Sequence, residues 1–120
     1  MSFTILHNPR CSKSRAALAA LEDAGETVTI RAYLSDPLTE DELRETLRRG
    51  GLTPAEVVRA EEPLAAELGL TADSPAEELL AAMAEHPQLL NRPIVIRDAD
   101  GRAVLGRPLD TVYALMKDHS

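Results

Sequence analysis

The spacing of apolar positions changes several times along the chain, and each change marks a predicted element. Phe3 to Leu6 is a short strand-like run, broken by Asn8-Pro9. From Ser12 the spacing turns helical: Ala17, Leu18, Leu21 and Ala24 share one face, and Gly25 suits the left-handed position just past a helix end. Val28, Ile30 and Ala32 then alternate, which predicts a strand over Thr27 to Tyr33. A crossover this short between two strands implies that they run parallel, with the loop before the helix at the carboxyl end of the first strand. Ligands gather at that end in open α/β sheets.

The middle of the chain reads as helices. Thr39 with Glu42 is a capping box, and its helix carries Leu43 and Leu47 and stops at Gly50-Gly51. Thr53-Pro54 predicts a second start, ending near Arg59, and Leu64 to Leu68 a third short piece closed by Gly69. Ser74-Pro75-Ala76-Glu77 reads as another capping box, opening a helix with Leu79, Leu80 and Met83. Strand character returns at Ile94 to Ile96. The turn Asp98-Ala99-Asp100-Gly101 joins it to Ala103 to Leu105 as a hairpin. Pro108 opens a last helix expected to turn Leu109, Val112, Tyr113 and Met116 inward. The order β-α-β, helices, β-β-α fits an α/β, thioredoxin-like fold: a mixed four-stranded sheet with helices on both faces. The whole chain, 1–120, is one domain, with a helical insertion over about residues 39–88.

Composition narrows the function. Aromatic residues are only 2% of the chain, so the core has to be built from Leu, Val, Ile and Ala, and there is no platform for stacking nucleobases. A net charge of -7 further disfavours a nucleic-acid binder. There is no apolar run of membrane-spanning length and no basic, apolar leader. The one cysteine cannot form an internal disulfide, so a reducing, cytoplasmic location and a monomer are expected.

That cysteine, Cys11, is the candidate for chemistry. It sits just before a helix, where unpaired N–H groups and the positive dipole end favour thiolate over thiol. Ser12, Lys13, Ser14 and Arg15 follow it, and His7 and Asn8 precede it. The same helix end suits an incoming oxyanion. The plainer reading is a small buried apolar residue; polar, basic neighbours in a loop weigh against it. Position 14 is Ser where a Cys-x-x-Cys motif has its second thiol. An oxidised or adducted Cys11 therefore needs an external thiol, glutathione or a glutaredoxin, to clear it. No spacing of His, Cys and carboxylates suggests a metal site, and His86 before Pro87 reads as a helix end.

The loop His7-Asn8-Pro9-Arg10-Cys11-Ser12-Lys13-Ser14-Arg15 resembles that of the glutaredoxin-coupled arsenate reductases, a branch of the thioredoxin-like proteins with a helical insertion. The match continues through Tyr33-Leu34, Glu67-Leu68-Gly69-Leu70, His86-Pro87, Asn91-Arg92-Pro93-Ile94-Val95 and Gly106-Arg107-Pro108. The resemblance implies that Cys11 is the nucleophile and that Arg59, Arg92 and Arg107 hold the oxyanion. It also implies that Pro93 is a cis-proline facing the loop, and that His7, Asn8, Ser14 and Arg15 support the thiolate. It further implies arsenate as substrate, glutathione as co-substrate, glutaredoxin as partner and no bound cofactor. Taken singly, Arg59 also reads as a solvated helix-end residue, and Arg92 and Arg107 as turn residues before prolines. Two alternatives belong to the same superfamily. One is a thiol oxidoreductase with another substrate. The other is a non-enzymatic regulator of the Spx type that binds RNA polymerase, for which the missing second cysteine is a departure.

Overall fold

In the computed structural model, which describes residues 1–117, the first apolar run forms β1 (Ser2–Leu6) at the centre of a four-stranded sheet. Helix α1 (Ser12–Asp23) carries the chain across to β2 (Thr27–Arg31), which pairs parallel to β1, with Ile5 opposite Ile30. On the other side of β1 lies β3 (Ile94–Arg97), antiparallel, and then β4 (Ala103–Leu105), giving the order β2-β1-β3-β4. Between β2 and β3 come α2 (Glu40–Gly50), α3 (Pro54–Val57), α4 (Pro63–Glu67), α5 (Ala76–Glu85) and a 3-10 turn at Pro87–Leu89. Helix α6 (Asp110–Lys117) closes the fold.

Alternation along the strands divides the core in two. Phe3, Ile5 and Val95 point to one face of the sheet, where Ala17 and Leu21 of α1 and Val112 and Leu115 of α6 cover them. Leu6 and Ile94 belong to the opposite core, with Leu43 and Leu47 of α2, Val57 of α3, and Leu79, Leu80 and Met83 of α5. Burying each such side chain contributes roughly 1.5–3 kcal/mol, so the two layers together drive folding.

Local chemistry sets several boundaries. Thr39 caps α2: its Oγ1 accepts from Glu42 N–H at 3.1 Å, and Thr39 N–H donates back to Glu42 Oε1 at 3.2 Å. Glu42 also pairs with Arg31, whose Nη2 donates to Pro37 O at 3.0 Å, so the loop from β2 to α2 is tied at both ends. Thr53 and Glu56 form the same reciprocal cap on α3, with Pro54 in the first turn.

Other expectations are corrected. Strand β2 stops at Arg31, and Ile30 is half exposed because β2 is the open edge of the sheet. Ala24 lies past the end of α1 and is exposed. The Ser74 box does not form: Pro75 takes the cap position of α5, while Ser74 Oγ closes a turn by accepting from Thr71 N–H at 3.0 Å. Glu77 reaches Arg44 of α2 instead. Helix α3 ends at Val57, because Val58 turns extended and bridges to Leu90. Helix α6 begins at Asp110 rather than Pro108. Its short buried stripe centres on Val112 and Leu115, which leaves Tyr113 43% exposed. Among the described residues no helix is long and apolar enough to cross a membrane.

Candidate oxyanion site

The loop leaving β1 is shaped by its own polar groups. His7 N–H donates to Arg31 O at 2.9 Å, which fastens the loop to the end of β2. Asn8 Oδ1 accepts from Arg10 N–H at 3.0 Å, and Asn8 O accepts from Cys11 N–H at 3.0 Å. Ser14 Oγ, fully buried, accepts from Asn8 N–H at 3.0 Å and shares a 2.6 Å hydrogen bond with His7 Nδ1. Burial, and then the nearby Arg15, hold the His7 pKa below its ordinary value, which favours a neutral ring. Arg15 Nη1 donates to Pro9 O at 2.9 Å within the same loop.

Cys11 occupies the N-cap position of α1 in an extended conformation, with only 7% of its surface exposed. Burial is the largest single influence on the thiol and pushes its pKa up. The N–H groups of Ser14 and Lys13, which point at the sulfur, and the adjacent Arg92 guanidinium oppose it and prevail, so the pKa lies below that of an ordinary cysteine. The orphan donors of the first helical turn thus find an acceptor in the Cys11 sulfur and favour its ionised form.

Three arginines come from other parts of the chain: Arg92 lies against the sulfur, and Arg59, Arg92 and Arg107 act, together with Cys11, on the phenol of Tyr33. Arg59 follows α3, and its N–H donates to Leu89 O at 2.7 Å. Arg92 precedes β3 and Arg107 follows β4. The Arg92–Pro93 and Arg107–Pro108 peptides are both cis. Arg59 is partly neutralised by Glu62 at 3.0 Å. Arg59 Nε, Arg92 Nε and Nη1, and Arg107 Nε are buried without a hydrogen-bond partner. Buried guanidinium donors left unpaired are costly. A ligand carrying several anionic oxygens would satisfy them, since each guanidinium offers a planar fork of N–H groups.

Two residues without an assigned role complete the site. Asn91 Oδ1 accepts from Arg92 N–H at 3.0 Å and from Arg107 Nη1 at 3.2 Å, and Asn91 N–H donates to Val57 O at 2.7 Å. It therefore joins the segments that carry all three arginines. Tyr33, just past β2, is 2% exposed and packs in the same core as Val57, Val58, Leu90 and Ile94, which flank Arg59 and Arg92. Its phenol lies in the field of Arg92, Arg59, Cys11 and Arg107 together. In the sequence both residues fall within the matched stretches. Neither has a charge or a thiol to single it out.

A cysteine of lowered pKa at a helix N-terminus and at the carboxyl end of a mixed sheet, with the arginine of a cis X–Pro bond beside its sulfur, defines a thiol protein of thioredoxin-like fold. Within that class the chain belongs to the ArsC family, whose profile matches residues 6–115. It is 45% identical over 116 residues to a protein named arsenate reductase from Neisseria meningitidis serogroup A, a match that covers 93% of this chain and 96% of the relative. It is also 41% identical over 119 residues to an arsenate reductase from Rhizobium meliloti, covering 98% of this chain and 84% of that one. Among solved structures it is similar to an arsenate reductase from Vibrio cholerae, with a TM-score of 0.87 and 40% identity over 95% of this chain and 97% of that one.

Proposed function

We propose that the protein is an arsenate reductase that works through a covalent adduct on Cys11, with glutathione and glutaredoxin as the source of electrons. The observation that carries this reading is the set of unpartnered guanidinium nitrogens on Arg59, Arg92 and Arg107, with Arg92 against a thiol of lowered pKa. Arsenate would occupy the space over the first turn of α1, its oxygens taking the open N–H groups. The Cys11 thiolate attacks arsenic, an As–O bond breaks, and the oxygen leaves as water with a proton from the medium. Arginine charge stabilises the oxygens as the adduct forms. Glutathione thiolate then attacks the Cys11 sulfur. The As–S electron pair stays on arsenic, which falls from As(V) to As(III) and leaves as arsenite, while the two thiols become a mixed disulfide. Glutaredoxin reduces that disulfide, because the protein has no second cysteine to do so. Such a cycle belongs in a reducing compartment such as the cytoplasm.

The test is an NADPH-linked assay with arsenate, glutathione, glutathione reductase and glutaredoxin. Wild-type protein is expected to consume NADPH in step with arsenite formation, and Cys11→Ser to reduce arsenate no faster than the assay mixture alone. Wild-type protein inert towards arsenate in this assay, or an active Cys11→Ser, would overturn the reading.

A further inference from the structure

We propose that the hydroxyl of Tyr33 is a ligand of the bound oxyanion, the one uncharged side-chain donor among three guanidiniums. The proposal rests on the oxyanion reading of the site and adds to it a residue that the arginines and the thiol do not account for.

Three structural observations carry it. First, the backbone puts Tyr33 at the site. Tyr33 N–H and His7 N–H both donate to Arg31 O, at 3.0 and 2.9 Å, so the chain just past β2 lies against the start of the Cys11 loop. Second, the ring is buried in the same core as Val57, Val58, Leu89, Leu90 and Ile94, which flank Arg59 and Arg92. A ring packed in a core holds its hydroxyl without losing rotamer entropy again when a ligand arrives. Third, among the described residues nothing accepts the hydroxyl proton, although a buried tyrosine normally satisfies that group. Its oxygen is not fully enclosed.

The electrostatics agree with this placement. Arg92, Arg59 and Arg107 all act on the phenol, yet burial, the largest influence, keeps its pKa above the ordinary value. Tyr33 therefore stays protonated at neutral pH, and it presents a proton rather than a charge. A fourth cation would compete with the ligand for the thiolate. A neutral donor adds a directed hydrogen bond to an anionic oxygen and leaves the charge balance of the pocket unchanged.

The experiment uses the lone cysteine as its reporter. Alkylation of Cys11 by iodoacetamide is followed against rising phosphate, and separately arsenate, in wild-type protein and Tyr33→Phe. Phenylalanine keeps the ring and removes only the donor. The expected result is that Tyr33→Phe needs about 10-fold more of either anion for half-protection, with each protein's protection measured against its own anion-free rate. Equal half-protection in the two proteins would overturn the role of Tyr33 and leave the oxyanion site standing. Failure of either anion to protect wild-type Cys11 would remove the oxyanion reading itself.

A second measurement does not depend on the folding of Tyr33→Phe. The chain has two tyrosines and no tryptophan, so Tyr113→Phe leaves Tyr33 as the one phenol. Phosphate is expected to shift the near-ultraviolet absorbance of that variant in proportion to Cys11 protection. A spectrum unmoved at protecting concentrations would refute the contact.

Discussion

At the scale of single residues, Cys11 shows how opposing influences are settled by position. A thiol this enclosed would ordinarily be inert. Here the enclosing groups include N–H donors and a guanidinium, which lower its pKa and favour ionisation. The alkylation rate of Cys11 is therefore expected to reach half its maximum at a lower pH than that of free cysteine. Linkage gives the sign of the effect on stability. Between the lowered folded-state pKa of Cys11 and its ordinary value, the unfolded chain binds more protons, so stability rises with pH across that window and is lost as pH falls through the folded pKa. His7 acts in the same direction further down. Stability declines as pH drops below its ordinary value of 6.5, because the unfolded imidazole takes up the proton first. Urea midpoints measured from pH 5 to 9 check both. The place of Cys11 just ahead of a helix was legible from sequence, because Asn-Pro ends the strand and the helical spacing starts at Ser12. Tyr33 was not legible, because an aromatic residue closing an alternating run reads as the end of a strand core.

At the scale of elements, the site depends on ties between turns rather than on the helices or strands themselves. Asn91 holds the main chain of Arg92 and the guanidinium of Arg107 on one amide oxygen. Gly106 lets the end of β4 press on the proline turn. Its N–H donates to Pro93 O at 2.8 Å, and a Cβ there would lie 2.9 Å from Pro93 Cγ and 3.1 Å from Val112 Cγ2. Asn91→Ala and Gly106→Ala are each expected to raise the KM for arsenate by about 5- to 10-fold, the range for one misplaced charge-assisted hydrogen bond. Neither is expected to change the anion-free alkylation rate of Cys11 by more than about twofold; a larger change would place the damage in the thiol loop instead. Elements specified by short-range chemistry were readable: the Thr39–Glu42 cap, the strand broken by Asn8-Pro9, and the hairpin at Asp98 to Gly101. The Ser74 box failed because a proline at the next position moved the cap by one residue. The end of α3 moved because Val58 pairs with Leu90, 32 positions away in the chain (58 to 90), which no local pattern reports.

At the scale of the whole molecule, the sheet separates two layers, and the site is made from both. Helix α1, whose first turn holds the thiolate, packs with α6 on one face. Val57 and Val58, which lead to Arg59, belong to the core of the other face, and Leu90 and Ile94 on either side of Arg92 belong there too. This division was only half visible beforehand. Periodicity reports which face of an element is apolar, but not which of two cores receives it. Phosphate at about 100 times its Kd is expected to stabilise the protein by about 2.7 kcal/mol. Calorimetry should show this as a rise of several degrees in Tm, with a single sharpened transition. The rise should be largely absent in a variant that lacks two of the three guanidiniums, Arg92→Ala with Arg107→Ala. The anion would act there as a rivet through two plates: by gripping a nucleophile from one and cations from the other, it makes their separate loosening a single event.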